Sequence, residues 1–286
     1  MKLDFIVTLA NRNAEVTFRA MERSLRETGC ELPIKVIPYN DDTFDLPEGS
    51  EWWEDKEFIQ WSDTNCKHPM MRKYQCLTSA NYQFVDTDVI FLRNPEAALG
   101  EHEGFIASCG HWHDQEHTFT PQSRAILKAM STTWQKTVFN AGQFACDRAL
   151  YSMNTLRATA EAPANRETCI ESRLSDQPGL NLLVHLAKVP MTNLTLPPHN
   201  MESTWAGDYS TDYSDYWNNE SRQPYLIHWA GKKMNGDNPI DELAFQYLTE
   251  TEKNELLSSQ SAPKPQTVLK QRIKLAIHAL LGHESP

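Results

Sequence analysis

The sequence predicts an α/β protein with a mixed, mainly parallel sheet flanked by helices. Three observations carry that expectation. The chain opens strand, helix, strand; apolar runs of strand length keep alternating with helix-period segments further on; and 286 residues with 40% hydrophobic content can bury a substantial core.

Residues 3–9 (LDFIVTL) and 34–39 (IKVIPY) are short apolar runs. Between them Phe18, Met21 and Leu25 recur at helical spacing behind Asn13, a candidate cap. A unit of this kind joins parallel strands by a right-handed crossover. A helix opened by Pro69 is expected over 69–81, then a strand over 83–92. Further strands are expected at 104–109 (GFIASC), 137–146 (TVFNAGQFAC), 187–196 (AKVPMTNLTL) and 225–230 (YLIHWA). Helices are expected over 121–130, 147–160, 174–186 and 239–257. The last has Asn238 as cap, Pro239 at its first position, and Asp241 and Glu242 in its first turn, where acids suit the helix dipole. The connection 197–224 lacks periodicity, and its many aromatic residues favour a functional loop.

Residues 1–258 are expected to form the main domain, followed by 259–286 as linker and amphipathic basic helix. In VLKQRIKLAIHALL, Leu269, Ile273, Ala276, Ile277, Leu280 and Leu281 share one arc, with Lys270, Arg272 and Lys274 towards its edges. Such a helix packs on the main domain or a second copy, or rests on an anionic membrane surface.

A formal net charge of −11 argues against a nucleic-acid partner, which selects a basic face. It also repels a polyanionic substrate unless a cation intervenes. The six cysteines are scattered without a C-x-x-C pair, which suits free thiols in a reducing cytoplasm. The opening MKLDFIVTLANRN has no signal-peptide pattern, and no apolar stretch approaches the ~20 residues that span a bilayer. The expected location is the cytoplasm, with peripheral contact at the inner face of the membrane through the last helix.

Within the run YQFVDTDVIFL, Asp86 and Asp88 interrupt an apolar strand, and ionised carboxylates are costly to bury unpaired. Strand alternation puts both on one face, where a divalent cation relieves their repulsion. Oxygen ligands suit Mg²⁺ or Mn²⁺, above all with phosphate oxygens in the shell. A lone Asp-x-Asp also fits a strand end projecting two solvated acids. Three more segments add weight. Phe139-Asn140-Ala141-Gly142 lets backbone approach a ligand closely. Asp176 and Gln177 begin a helix that carries Asn181. His228 ends an apolar strand before Gly231, Lys232 and Lys233, offering a nitrogen ligand and cations for phosphate.

In this order, Asp-x-Asp, Phe-Asn-Ala-Gly, Asp-Gln-x-x-Leu-Asn and His-x-x-Gly-Lys resemble the retaining glycosyltransferases of family 8. These are GT-A fold enzymes (Rossmann-like nucleotide-diphospho-sugar transferases) related to glycogenin and to bacterial lipopolysaccharide galactosyl- and glucosyltransferases. The resemblance spans roughly residues 1–250. It implies a hexosyltransferase in which Asp86, Asp88 and His228 bind Mn²⁺ (or Mg²⁺), and the metal holds the diphosphate of a nucleotide sugar, most readily a UDP-sugar. It further implies Thr8, Ala10 and Asn11 at the base and ribose, Arg72 or Lys73 at the donor, and Asn140 and Ala141 near the donor sugar. Asp176 and Gln177 would line the anomeric carbon, Gly231 and Lys232 would meet the diphosphate, and a glycan or glycolipid would be the acceptor. The family's closing H-x-x-G-x-x-K-P-W is here HWAGKKMNG, with lysine early and no Pro-Trp.

Other classes fit less. FVDTDVI with Gly207-Asp208 and Asp212 matches a haloacid-dehalogenase-type phosphatase with Asp86 as nucleophile, but 85 residues precede that aspartate, whereas the pattern belongs near the first strand. His111, His113 and His117 lie in one polar segment that is short of ligands for a zinc hydrolase. A carbohydrate-binding module would account for the aromatic residues alone.

Overall fold

The structure, a computed structural model, describes residues 1–108, 110, 121–173, 175–209, 211, 213, 217 and 221–261. Along β1 (Phe5–Ala10) the side chains alternate between two apolar clusters: Val7 and Leu9 join one, Ile6 and Ala10 the other. A 3-10 turn over Arg12–Ala14 leads into α1 (Glu15–Glu27), so Asn13 lies inside the turn and is not the cap. Phe18, Met21 and Leu25 are fully buried, as their spacing predicts. β2 (Ile34–Pro38) runs parallel to β1, and β3 (Ser50–Trp52) parallel to β2. α2 (Lys56–Asn65) begins at Asp55, whose carboxylate accepts the Phe58 N–H at 3.0 Å.

The helix expected over 69–81 is a 3-10 helix, Pro69–Thr78, and its residues from Met71 to Leu77 are all buried. Burial on every side replaces the one-sided stripe of an amphipathic α-helix, and tertiary packing overrides local preference. The strand expected over 83–92 is two strands, β4 (Tyr82–Val85) in the large sheet and β5 (Val89–Phe91) outside it. The break falls at residues 86–88, because carboxylates cannot enter an apolar sheet interior without partners.

The chain continues through α3 (Pro95–Leu99), β6 (Phe105–Ala107), α4 (Pro121–Met130), β7 (Gln143–Cys146), α5 (Met153–Glu161) and α6 (Arg166–Cys169). The described residues continue with α7 (Gln177–Leu186), β8 (Met191–Asn193), β9 (Leu226–His228), α8 (Glu242–Phe245) and α9 (Glu250–Ser261). A 3-10 turn over Trp134–Thr137 shortens the strand expected at 137–146. The helix expected over 239–257 is interrupted. Asn238 and Asp241 form a reciprocal capping box around a 3-10 turn, then α8 and α9 follow in succession. α9 runs through the start of the expected linker; the remainder of 259–286 and the His111–His117 segment lie outside the described residues.

The seven-stranded sheet has the order β3-β2-β1-β4-β7-β6-β8, and β5 pairs with β9 in a separate ribbon. All pairings in the large sheet are parallel except those of β7, which runs against β4 and β6. The expected mixed, mainly parallel sheet is therefore present. Because β2 and β3 lie on one side of β1 and β4 on the other, a topological switch point falls between β1 and β4, where open α/β sheets take ligands at the strands' carboxyl ends. Phe144 centres one core face, stacked 5.1 Å from Phe84 and 5.4 Å from Phe105.

The cysteines among the described residues are free, and burial pushes the Cys66 and Cys146 thiols up to about 11, which suits inert packing. No helix among the described residues is long and apolar enough to cross a membrane.

α9 is fastened to α1 by Arg23, which meets Glu252 at 2.7 Å and also donates to the Tyr247 carbonyl. The hydrogen bonds from Arg23 are the main cause that lowers the Glu252 carboxyl to about 2. A depressed carboxylate stabilises the fold above its unfolded value of about 4.5, and that contribution drains away as pH falls through about 2. Glu252→Gln is expected to lower stability by about 1 kcal/mol or less at pH 7. Urea midpoints of the two proteins should converge between pH 4.5 and pH 2; a gap independent of pH would contradict the assignment.

Candidate active site

Asp86 leaves β4 with its N–H donated to the Gly142 carbonyl at 2.8 Å. Two residues later the chain enters the ribbon, in which Val89 sits opposite His228 and the Trp229 N–H donates to the Asp88 carbonyl at 3.0 Å. Thr87 is tied to α1 by a 3.0 Å hydroxyl contact with Thr17. The two carboxylates converge because this turn redirects the backbone, not because a regular strand alternates them, which corrects the period-two argument. His228 Nε2 lies 3.1 Å from Asp88 Oδ1 and 3.8 Å from Asp86 Oδ2. One ligand atom from each residue falls within 4.8 Å of the others.

Lys73 is the second organising charge. Its side chain is almost fully buried, and Nζ meets Asp86 Oδ1 at 2.9 Å and Asp176 Oδ2 at 3.2 Å while donating to the Ala141 carbonyl at 3.3 Å. Burial alone would discharge this lysine, but Asp176 and Asp86 outweigh it and raise its pKa. Burial raises Asp86, with Lys73 opposing and Asp88 adding to the rise. Asp88 is pulled down despite burial because the imidazole faces it. His228 is raised, since Asp88 and Asp86 overcome the burial that would lower it.

Gly142 makes room for this cluster. A Cβ there would lie 2.3 Å from Asp86 Oδ2 and 2.3 Å from His228 Cε1. The backbone at Gly142, expected to approach a ligand closely, lies instead against Asp86 and the His228 imidazole. Around it, Asn140 Oδ1 accepts the Gly142 N–H at 2.7 Å, and Gln177 Oε1 accepts the Ala141 N–H at 3.3 Å. Asn181 on α7 accepts the Phe139 N–H and donates to the Phe139 carbonyl, at 3.0 and 2.9 Å. Asp176 and Gln177 therefore stand at the expected helix start, that of α7, and lie against the 139–142 loop.

Other expected residues lie outside this cluster. The Thr8 side chain is fully buried and its hydroxyl has no hydrogen-bond partner, while Ala10 is buried at the end of β1 and Asn11 is partly exposed beyond it. Of the adjacent basic pair, only Lys73 reaches the acids. Arg72 grips Asp63 at 2.7 Å, donates to the Pro38 carbonyl at 2.6 Å, and walls a cavity of about 360 Å³ with Asn40, Asp41 and Lys56. Gly231 (φ +71°) turns the chain after β9 and leaves Lys232 exposed, 6.0 Å from the Trp205 ring. Sequence reading missed Ser108, Gln143 and Thr204, buried polar residues behind His228. Each stands alone beside an apolar run, and nothing in the sequence signals that they meet.

The residues fit a divalent cation. His228 Nε2 is buried without an aligned hydrogen bond and points at two carboxylates. Three carboxylates (Asp86, Asp88, Asp176) against the one Lys73 ammonium leave two negative charges when ionised and His228 is neutral. Two carboxylates and an imidazole suit Mn²⁺ or Mg²⁺.

No family model and no curated protein matches the sequence. Solved structures do match the fold, and they define it as GT-A. One is the apo structure of the bifunctional glycosyltransferase WbbM (TM-score 0.58, 13% identity, 91% of this chain and 52% of that one). Another is the galactosyltransferase LgtC in complex with donor and acceptor sugar analogues (TM-score 0.50, 13% identity, 91% of this chain and 98% of that one). A third is apo GlyE, a glycosyltransferase of Streptococcus pneumoniae TIGR4 (TM-score 0.50, 14% identity, 93% of this chain and 66% of that one). The chain spans about half the length of WbbM and about two thirds of GlyE. The phosphatase alternative gains nothing from these matches, and Asp208 closes a 3-10 turn after Trp205 where that pattern needs a strand.

Proposed function

We propose that this chain is a metal-dependent glycosyltransferase of the family 8 type, moving a hexose from a nucleotide sugar, by preference a UDP-sugar, to a glycan or glycolipid acceptor with retention of configuration. One observation carries the reading: Asp86, Asp88 and His228 meet beside the carboxyl end of β4, at the switch point of the sheet. A diphosphate needs a cation to approach a chain of net charge −11.

Asp86, Asp88 and His228 would hold Mn²⁺ or Mg²⁺, which supplies Lewis acidity to the departing diphosphate. Backbone at Thr8 and Ala10, with the Asn11 side chain, serves the base and ribose. Asn140 and Ala141 border the donor sugar, and Gly231 with the exposed Lys232 closes on the diphosphate. Lys73 bridges Asp86 and Asp176, which fixes Asp176 against the anomeric carbon, and Gln177 holds the Ala141 loop at the same centre. The acceptor hydroxyl oxygen bonds to the anomeric carbon on the face that the diphosphate leaves. The bond from that carbon to the phosphate oxygen breaks, and the hydroxyl proton passes to that oxygen, so no side-chain base is required. The basic C-terminal segment would rest on the inner membrane face, where glycolipid acceptors lie.

The test is a thermal-shift panel of nucleotide sugars with and without Mn²⁺, since a ligand that binds only the folded state raises the melting temperature. Stabilisation by a UDP-hexose, only with metal, is expected. Indifference to every nucleotide sugar in the presence of Mn²⁺, or turnover of an aryl phosphate, would overturn the reading.

A further inference from the structure

Behind His228 lies a buried polar network outside the cluster of Asp86, Asp88 and the imidazole. Gln143 follows Gly142, sits opposite Val85 in the β4–β7 pairing and is buried. Its Oε1 accepts from Ser108 Oγ at 2.9 Å, and its Nε2 donates to Thr204 Oγ1. Thr204 Oγ1 in turn donates to the Ser108 carbonyl at 2.8 Å, and the Thr204 carbonyl accepts the His228 N–H at 2.7 Å. Ser108, Gln143, Thr204 and His228 are each no more than 3% exposed. Three elements remote in sequence are thus joined through one amide.

We infer that Gln143, Thr204 and Ser108 are positioning residues for the metal site, and this rests on the reading of Asp86, Asp88 and His228 as metal ligands. The geometry explains why. Asp86 is referenced to the start of β7 through the Gly142 carbonyl, whereas His228 arrives on the separate β5–β9 ribbon. Among the described residues no strand pairing joins β7 to β9. The backbone ties Asp86 to His228 through the 86–88 turn and the β5–β9 pairing, and side-chain links brace the same distance from the β7 side. Gln143 supplies one from the first residue of β7, just after Gly142, through Thr204, to the backbone of His228. Buried polar groups that are all satisfied hold one geometry, because any displacement leaves one unpaired. Groups outside a metal's ligand set commonly change its affinity by about 10–100-fold when removed.

Thr204→Val keeps the shape and the carbonyl to His228 but removes the hydroxyl; Ser108→Ala removes the other contact to Gln143. Mn²⁺ affinity is measured on the full chain without any nucleotide, by electron paramagnetic resonance of free Mn²⁺, alongside the urea midpoint of the metal-free protein. Each variant is expected to bind Mn²⁺ at least about tenfold more weakly, with Thr204→Ser restoring wild-type affinity. Wild-type affinity in both Thr204→Val and Ser108→Ala, whatever their urea midpoints, would overturn the inference while leaving the metal site standing. A wild-type protein that does not bind Mn²⁺ would remove the metal site and the inference together.

Discussion

Lys73→Met is expected to cost the metal-free protein about 3–5 kcal/mol, because it strands buried carboxylates. Asp176 is 3% exposed, and among the described residues its Oδ2 has only the Lys73 ammonium, at 3.2 Å, for a counter-charge. Asp86 shares the same ammonium at 2.9 Å. Methionine fills the volume beside Phe84, whose ring now lies 5.0 Å from Nζ, so the loss is one of charge and not of packing. Two companion measurements sharpen the expectation. Combining Lys73→Met with Asp176→Asn should recover part of the loss, since one buried charge has been removed with its partner. Mn²⁺ should also raise the urea midpoint of the single variant more than that of the wild type, because Asp86 then faces the cation with no competing ammonium. A Lys73→Met protein with the wild-type urea midpoint would mean that the lysine is not the counter-charge on which these carboxylates depend.

Asp88→Ala is expected to give the opposite pattern, an intact fold without metal-dependent donor binding. The Asp88 side chain is 34% exposed, so its removal leaves no large cavity. It nevertheless takes one of two carboxylates from the cluster and the nearest acid from His228. The Mn²⁺-dependent shift with a UDP-sugar should vanish, and an unchanged shift would reject the ligand assignment. A pH signature accompanies this. With burial opposing, Asp88 and Asp86 raise the His228 imidazole above its ordinary value. A raised base stabilises the metal-free fold fully below its unfolded pKa of about 6.5, and the gain disappears as pH rises through the folded value. Asp88→Ala forfeits the larger part of that gain, so metal-free wild type and variant should converge in stability as pH rises past it. Mn²⁺ and the imidazole proton compete for one nitrogen, so wild-type Mn²⁺ affinity should fall as pH drops. Titrations from pH 6 to pH 8.5 in denaturant, with and without Mn²⁺, separate the two effects.

Several features of this molecule are written locally and survive folding unchanged. The helix carrying Phe18, Met21 and Leu25 follows from spacing alone, and so does the parallel pairing of the strands at either end of it. The Asn238–Asp241 cap was legible because it involves four neighbouring residues. The acidic pair was legible because carboxylates inside an apolar run demand a partner. By contrast, the 3-10 helix at 69–78 and the split of the expected strand at 86–88 went unread. In both places burial from every side, or a change of sheet, outweighs the periodicity that local reasoning detects.

The sequence alone determined the alternation of strands and helices, and the presence of acids and an imidazole able to bind a cation. Only the tertiary structure decided which groups share that site. Lys73 was chosen over Arg72 by the turn of a 3-10 helix, Gly142 was required by side chains on two other elements, and Thr204 was brought behind His228 by a long connection. The physical reason is range. Spacing along a chain reports contacts a few residues apart, whereas desolvation and charge pairing act between whatever the fold brings within a few ångströms.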